Sequence, residues 1–194
     1  MCPYAQKVWL ALEVGGCPYE STEVSLYGPG GKPDWFLDLN PMGEVPVLTC
    51  FGGAKIYIDS EYILTKISDG AVEGGKSLKV EDEEVREKAE EWRHLISTRV
   101  NPIGKAAVLK GGKNRKDLMK LLGELDSKVQ GPYLCGESAT VADCAAFPFL
   151  WRIDQEFGPL NEEKGCANIR AWLDTCLKTD GFKKTVQGSW WWWW

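Results

Sequence analysis

The sequence predicts two domains, an α/β domain over residues 1–69 followed by an all-α domain over residues 80–188. In the first region, short apolar runs alternate with Gly and Pro, and the order of elements is α-β-α-β-β-α. In the second region, apolar residues recur with the period of long helices. Residues 70–79 contain three glycines and indicate a linker. A chain of 194 residues is long enough for two small domains.

Composition and charge exclude several classes of function. The chain has 23 basic and 28 acidic residues, a formal net charge of −5, and no basic block. Because phosphate contacts come mainly from clustered Lys and Arg, we expect no nucleic-acid partner. No run approaches the roughly 18 apolar residues of a membrane span. Nothing at the start indicates secretion. We therefore expect a cytoplasmic protein, unless a missing N-terminal segment supplies a transit peptide.

The cysteines do not form a metal-binding or disulfide pattern. There are seven, with irregular spacing and no CxxC pair, and the single histidine is His94. A zinc site needs about four ligands in close array, so we predict no metal site. A disulfide framework is equally unexpected in a chain of this size and type. Most of the cysteines are predicted to be small buried residues, and His94 to be a solvated or capping residue.

The elements of the first domain follow from its Pro and Gly residues. Pro3 favours the first position of a helix that runs to about Val14, and Gly15 and Gly16 end it. Pro46 would disrupt an ordinary strand, and a cis Val45–Pro46 bond is one explanation. Loosely alternating, apolar or short periodic segments predict the other elements: a strand at 19–26, a helix at 33–39, strands at 45–48 and 55–58, and a helix at 60–68.

The second domain is predicted to contain four helices, at about 80–100, 114–129, 140–156 and 166–178. Thr140 and Asp143 have the spacing of a capping box at the start of the third. Pro148 is predicted to kink that helix. The tail, residues 189–194, has five consecutive tryptophans and no usable periodicity. We predict a disordered or poorly packed end, with ligand stacking as the alternative.

Cys2 is the candidate nucleophile because it precedes Pro3 and so occupies the N-cap position of the first helix. Unpaired amides and the helix dipole at this position favour a thiolate over a thiol. Lys7 could add positive potential. Ala5 stands where a second cysteine would allow an internal disulfide, so an external thiol would have to resolve any mixed disulfide. The alternative is an ordinary thiol near a helix start.

Several motifs occur together in an order that is typical of one family. The chain resembles a cytosolic glutathione S-transferase of the cysteine-active type, especially the omega and lambda classes. The resemblance implies a thioredoxin-like N-terminal domain and an all-α C-terminal domain. The motifs are Cys2-Pro-Tyr-Ala-Gln6, Lys32-Pro-Asp-Trp-Phe36, Asn40-Pro-Met-Gly-Glu-Val-Pro-Val-Leu48, Asp59-Ser60 and Leu134-Cys-Gly-Glu-Ser-Ala-Thr-Val-Ala-Asp143.

The resemblance also implies roles for individual residues. Cys2 would form a mixed disulfide with glutathione, and the backbone of Val45, before cis Pro46, would pair with the cysteinyl part of that tripeptide. Asp59 and Ser60 would bind its γ-glutamyl end. The family more often has Glu in place of Asp59, so the reach is one methylene shorter. The remaining glutathione-binding residue, for the glycyl carboxylate, would be Lys32.

One feature departs from the family pattern. In the family a β-strand precedes the active cysteine and lies inside the sheet, whereas only Met1 precedes Cys2 here. Without that strand its neighbours lose their hydrogen-bonding partners. We therefore expect either an N-terminally truncated first domain or some other group in the gap.

The predicted function is that of a glutathione-dependent thiol transferase. Its partners would be glutathione and a small-molecule or protein mixed-disulfide substrate, and the chain would be a monomer or homodimer. An acceptor pocket would lie between the domains, where Trp92, Phe147 and Trp151 could line it or simply pack in the core. The alternative is a non-catalytic or truncated binding module with the same architecture.

Overall fold

A computed structural model of the chain describes residues 2–27, 30–109 and 114–186. The predicted tail at 189–194 lies outside these residues. The described elements of the first region are α1 (Pro3–Val14), α2 (Asp34–Leu39), β1 (Val47–Cys50), β2 (Lys55–Ile58) and α3 (Ser60–Ser68). Those of the second are α4 (Glu83–Leu95), a π-helix (Ile96–Val100), α5 (Asn101–Leu109), α6 (Arg115–Asp126), α7 (Val141–Phe157), a 3-10 helix (Glu162–Lys164), α8 (Ala167–Lys178) and α9 (Asp180–Thr185).

The local signals of the first region give most of the predicted elements, and β1 begins two residues later than the strand predicted at 45–48. Helix α1 has the predicted bounds, with Cys2 as N-cap and Gly15 as C-cap. Helix α3 also has its predicted bounds, and its N-cap is Asp59. Strands β1 and β2 form an antiparallel hairpin in which Val47 is opposite Ile58. The Val45–Pro46 peptide bond is cis, as predicted. Residues 69–82 contain no helix or strand, while the exact division into domains stays a prediction.

The predicted strand at 19–26 is wrong. Residues 19–26 have no strand assignment, and the sheet within the described residues consists of β1 and β2 alone. Alternating side chains can favour a strand, but the strand also needs a neighbour for its backbone groups. A cavity of about 740 Å³ separates part of this segment from β1, and residues 22–24 and 47–50 are among those that line it.

A buried carboxylate organises the helical region. Thr140 and Asp143 form the predicted capping box at the start of α7. The Asp143 side chain has no exposed surface and accepts hydrogen bonds from the Leu134 amide at 2.9 Å and the Thr140 amide at 2.7 Å. It also accepts one from Trp172 Nε1 of α8 at 2.9 Å. These bonds join α7 to α8 and to the preceding loop.

Sequence analysis missed three elements of the second region, which are α5, the 3-10 helix and α9. The predicted helix at 80–100 becomes α4 followed by the π-helix, and α5 continues directly from it. Helix α9 was not predicted either. Phe182 of α9 is fully buried and packs edge to face on Phe147, with ring centroids 5.1 Å apart. In the described part of the chain, no helix combines the length and the apolar character needed to cross a membrane.

Candidate functional site

Cys2 lies at the N-terminus of α1, where the sequence predicts it. Its backbone is extended, with φ of −67° and ψ of 130°, and its carbonyl accepts the first helical hydrogen bond from the Gln6 amide at 2.9 Å. The side chain is partly exposed and accepts no capping hydrogen bond. The amides of the first turn therefore act on the sulfur only through the dipole of the helix.

Cys2 shares its cavity with the cis-proline segment. Val45 and Pro46 line the same 740 Å³ cavity, together with the α1 residues Ala5 and Trp9. This brings together three of the six residues that the sequence predicts for the site. The sequence predicts an acceptor pocket between the domains. The cavity beside Cys2 is lined instead by residues of the first region and by Val72 and Glu73, which follow α3.

The aromatic residues proposed for an acceptor pocket do not line this cavity. Trp92 is almost fully buried and Phe147 is fully buried, so both pack in the core. Trp151 is partly buried and stacks on Phe147, with ring centroids 6.4 Å apart. Trp92 and Phe147 are therefore core residues, in agreement with the alternative interpretation.

Asp59 and Ser60 form the start of α3, outside the lining of that cavity. Asp59 Oδ1 accepts hydrogen bonds from the amides of Glu61 and Tyr62, both at 2.9 Å. Its φ of +69° is unusual for a residue with a side chain, and such backbone strain often occurs at functional sites. Ser60 is buried at the N-terminal turn, where the helix dipole favours an anionic group.

Lys32 lies apart from both groups, against the loop that leads to the cis proline. Its Cδ and Nζ atoms cover the face of Gly43, where an added Cβ would lie 2.6 Å from Cδ and 2.7 Å from Nζ. Gly43 has a φ of +63°, which also favours glycine. Lys32 is partly buried and does not line the Cys2 cavity.

A buried ionic cluster lies next to Asp59 and Ser60. Lys7 of α1 donates to Glu61 of α3, and Arg93 of α4 donates to the same carboxylate from Nη2 at 3.0 Å and Nε at 3.2 Å. Burial lowers the pKa of Lys7, and the Glu61 carboxylate opposes that shift. Asp59 also raises this pKa through its charge, so Lys7 and Asp59 are electrostatically coupled. Lys7 is therefore paired with Glu61, and its effect on Cys2 stays a prediction.

A second buried polar group holds α1 against the helical region. Gln6 Nε2 donates to the Thr185 carbonyl at 3.2 Å, and Gln6 Oε1 accepts from Arg152 Nη1 at 2.5 Å. Sequence reasoning did not select Gln6 or Arg152. The one available signal was a charged residue within the apolar run of the predicted helix at 140–156.

The other six cysteines are buried, and all seven are free thiols. Burial raises the pKa of Cys135 to about 12 and that of Cys166 to about 11. Burial also raises the pKa values of Cys17 and Cys50, which line the cavity. Because the thiolate is the reactive form, these residues are poor nucleophiles at neutral pH. Among the described residues, no group of three or more His, Cys, Asp or Glu side chains could hold a metal ion.

Comparison with known proteins agrees with this geometry. Residues 1–69 match the family model described as "Glutathione S-transferase, N-terminal domain". Residues 84–175 match that described as "Glutathione S-transferase, C-terminal domain". The Arabidopsis thaliana protein named "Glutathione S-transferase L3" is 30% identical over 95% of this chain and 78% of its own length. The chain belongs to the glutathione S-transferase family.

Other members of the glutathione S-transferase family extend the likeness. The Oryza sativa protein named "Probable glutathione S-transferase DHAR2, chloroplastic" is 26% identical over 95% of this chain, which spans 65% of that relative's length. The crystal structure of glutathione transferase Omega 3C from Trametes versicolor has a TM-score of 0.82 and 28% identity, and the match covers 97% of this chain and 86% of that one. The glutathione S-transferase fold is thus present, with a small N-terminal sheet and a helical C-terminal region.

Proposed function

We propose that the chain is a glutathione-dependent thiol transferase in which Cys2 is the nucleophile. The observation that supports this most is the position of Cys2 at the start of α1, on a cavity that it shares with Val45 and Pro46. Val45 would pair its backbone with the cysteinyl part of glutathione in the manner of an added strand. Family membership supports glutathione as the thiol.

Further residues would bind the two ends of glutathione. Ser60 and the amides at the start of α3 suit the γ-glutamyl carboxylate, and Asp59 suits its ammonium group. Lys32 would bind the glycyl carboxylate, for which its side chain would have to extend from Gly43 toward the cavity. The protein has a net charge of −5, so these local groups rather than long-range attraction would bind the anionic tripeptide.

The exchange takes two steps. The Cys2 thiolate attacks the glutathionyl sulfur of a mixed disulfide, which forms a Cys2–glutathione disulfide and releases the substrate thiolate. A glutathione thiolate then attacks the glutathionyl sulfur on Cys2, which restores the Cys2 thiolate and yields glutathione disulfide. A substrate of the dehydroascorbate type would instead accept two electrons and two protons, supplied by two glutathione molecules that leave as one glutathione disulfide.

Mass spectrometry after incubation with glutathione disulfide tests the proposal. Trypsin cleavage after Lys7 gives a peptide of residues 1–7 that contains Cys2 and no other cysteine. We expect a glutathione adduct on this peptide, its removal by reduced glutathione, and no adduct at this position in Cys2→Ser. Cys166→Ser is the matched control, because Cys166 is buried, and it should keep the adduct on Cys2.

Other outcomes would separate this proposal from its alternative. An adduct only on other cysteines would remove Cys2 from the mechanism. Unmodified protein that still binds immobilised glutathione, with binding reduced in Ser60→Ala, would favour the non-catalytic binding module. The cavity between residues 17–24 and β1 is the observation that favours this alternative, because the sheet beside Cys2 has two strands in the described residues.

A further inference from the structure

The cavity of about 740 Å³ beside Cys2 is elongated. Its lining on α1 consists of residues that recur every three or four positions and so share one face of the helix, namely Cys2, Ala5, Trp9 and Leu12. At a rise of about 1.5 Å per residue, this face extends roughly 15 Å from Cys2. Residues 45–50 on the other wall also span roughly 15 Å. The cavity is therefore a channel as long as a peptide strand of about five residues.

Cys2 lies at one end of this channel. At the C-terminal end of α1, the Gly15 carbonyl accepts a hydrogen bond of 2.8 Å from the Lys76 amide. Glu73, which precedes Lys76 in the same short segment, accepts a hydrogen bond of 2.7 Å from the amide of Phe51, directly after β1. This segment thus joins the end of β1 to the end of α1. Glu73 consequently lies at the far end of the channel from Cys2.

The free edge of β1 forms one wall of the channel. Strand β1 pairs with β2 along one edge, and residues 2–27, 30–109 and 114–186 contain no third strand. All four residues of β1, Val47–Cys50, line the channel, although successive side chains of a strand point to opposite faces. The channel therefore runs along the edge of β1, where backbone N–H and C=O groups can pair with an extended chain.

The lining is largely apolar, and its charged groups are acidic. In the described part of the chain, these charged residues are Glu20, Glu23 and Glu73, all of them exposed, and none forms an ion pair with another described residue. Glu20 follows Tyr19, whose hydroxyl donates to Glu13 in the last turn of α1. Glu20 and Glu73 therefore both belong to the far end of the channel. The aromatic residues of the lining are Trp9, Tyr19, Trp35 and Phe36.

We propose that the channel binds the substrate half of the mixed disulfide as an extended peptide, added as a strand to β1, with a basic residue four or five positions from its glutathionylated cysteine. This inference rests on the proposed role of Cys2, and it selects a protein rather than a small molecule as the substrate. The basic side chain would reach Glu20 and Glu73. The residues proposed for the two ends of glutathione do not line the channel, so the peptide can occupy it.

The chemical step is the first exchange described above. The Cys2 thiolate attacks the glutathionyl sulfur, the bond between the two sulfurs of the substrate breaks, and the peptide leaves as a thiolate that takes a proton from solvent. The channel contributes by holding the peptide cysteine beside Cys2. Its walls thus decide which peptides react, while the exchange itself is unchanged.

Turnover of synthetic peptides with reduced glutathione tests the inference. The substrate has a glutathionylated cysteine at one end, four apolar residues and a lysine at the other end, and the comparison peptide has glutamate in place of lysine. Both are made with the cysteine first and with the cysteine last, because strands can pair parallel or antiparallel. For the better of the two orders, we expect kcat/KM to be about tenfold higher with lysine at low ionic strength, and the difference to shrink at about 0.5 M salt.

A double variant identifies the carboxylates responsible. Glu20→Gln combined with Glu73→Gln should reduce the tenfold preference to about twofold, because the amides keep the shape of the side chains and remove their charge. The matched control is Glu81→Gln combined with Glu87→Gln, which changes the net charge equally at two exposed positions outside the channel. This control should keep the preference for the lysine peptide.

N-methylation of the peptide tests strand pairing separately. Alternate amides of an edge strand donate to its neighbour, so methylation at one of two adjacent positions should lower kcat/KM about fivefold, and methylation at the other should have little effect. Equal effects at the two positions would overturn the inference. Equal turnover of the lysine and glutamate peptides by the wild-type protein would also overturn it.

A failure of the proposed function has a different appearance. In that case wild-type protein forms no glutathione adduct on Cys2 and turns over neither the peptides nor glutathionylated free cysteine. If glutathionylated free cysteine and the lysine peptide react equally well, Cys2 is a nucleophile but the channel binds no peptide. The two proposals can therefore be separated.

Discussion

Glu61 is the residue whose loss we expect to damage the domain contact most directly. Its carboxylate accepts hydrogen bonds from Lys7 of α1 and Arg93 of α4. The Lys7 side chain is 3% exposed and that of Arg93 is 10% exposed, whereas that of Glu61 is 36% exposed. Glu61→Gln would leave the buried Lys7 beside a neutral amide, while Arg93 keeps its ion pair with Glu90 and the shape of the side chain stays nearly the same.

The expected size of this effect follows from the burial of the three groups. Removal of one partner from a fully buried ion pair costs about 3–5 kcal/mol. Because the Glu61 carboxylate is about one third exposed, water compensates part of the loss, and we expect a decrease of about 2–3 kcal/mol in the free energy of unfolding. For a chain of this length, that corresponds to a thermal midpoint lower by roughly 4–12 °C.

The pH dependence of this effect has a definite sign. Burial lowers the pKa of Lys7, and the Glu61 carboxylate partly restores it, so Glu61→Gln lowers this pKa further. The penalty of a protonated buried Lys7 is present at neutral pH. It decreases as the pH rises through the folded-state pKa of Lys7, which lies below the value of about 10.4 for an unfolded lysine, because the folded protein then holds a neutral amine. The deficit of the variant should therefore be smaller at about pH 9.5 than at pH 7.

Thermal melts at both pH values measure the effect. Glu83→Gln is the matched control, because Glu83 pairs with Arg86 on the exposed surface of α4, where an ion pair contributes about 0–1 kcal/mol. If Glu61→Gln and Glu83→Gln lower the thermal midpoint equally, the cluster is not a stabilising contact. A deficit that grows with pH would contradict the account of Lys7.

Two further predictions concern single carboxylates. Burial raises the pKa of Glu13, but hydrogen bonds from Lys184 and Tyr19 outweigh it and hold this pKa below its usual value. The wild-type protein should therefore have a higher thermal midpoint than Glu13→Gln at pH 7, and this difference should disappear below about pH 4. A difference in thermal midpoint that stays constant with pH would contradict the argument. Asp143→Asn should lower the free energy of unfolding, measured by urea titration, by about 3 kcal/mol, because one amide oxygen cannot replace two carboxylate oxygens. The exposed control Asp174→Asn should lower it by less than about 1 kcal/mol.

Features set by neighbouring residues could be predicted from the sequence. Pro3 and Gly15 bound α1, and Thr140 with Asp143 starts α7, because caps and turns depend on residues within one helical turn. The strand expected at 19–26 depended on a distant partner that its own alternation could not supply. Helix α9 has only six residues, which is too short for a helical period of apolar residues to appear in the sequence. Its buried apolar residue is Phe182.

The candidate site divides in the same way. Cys2 and cis Pro46 carry local signals, so their elements were predicted, although their shared cavity is a tertiary feature. Arg152 lies 146 residues from its partner Gln6, and Arg93 lies 32 residues from Glu61. Spacing along the chain gives no information about such pairs. Only the packing of the helices against one another brings them together.

Helix α1 is the element through which the two regions act on Cys2. Its Gln6 side chain bonds α7 and α9, its Lys7 side chain bonds α3, and the Tyr4 hydroxyl accepts a hydrogen bond of 2.7 Å from Asn101 at the start of α5. Few sheet contacts hold the helix that presents the sulfur, because the described sheet has two strands. The orientation of Cys2 is therefore set largely by the packing of α1 against helices, which includes these polar contacts. A change in the helical region that loosens these contacts should alter the reactivity of Cys2 without touching the glutathione-binding residues.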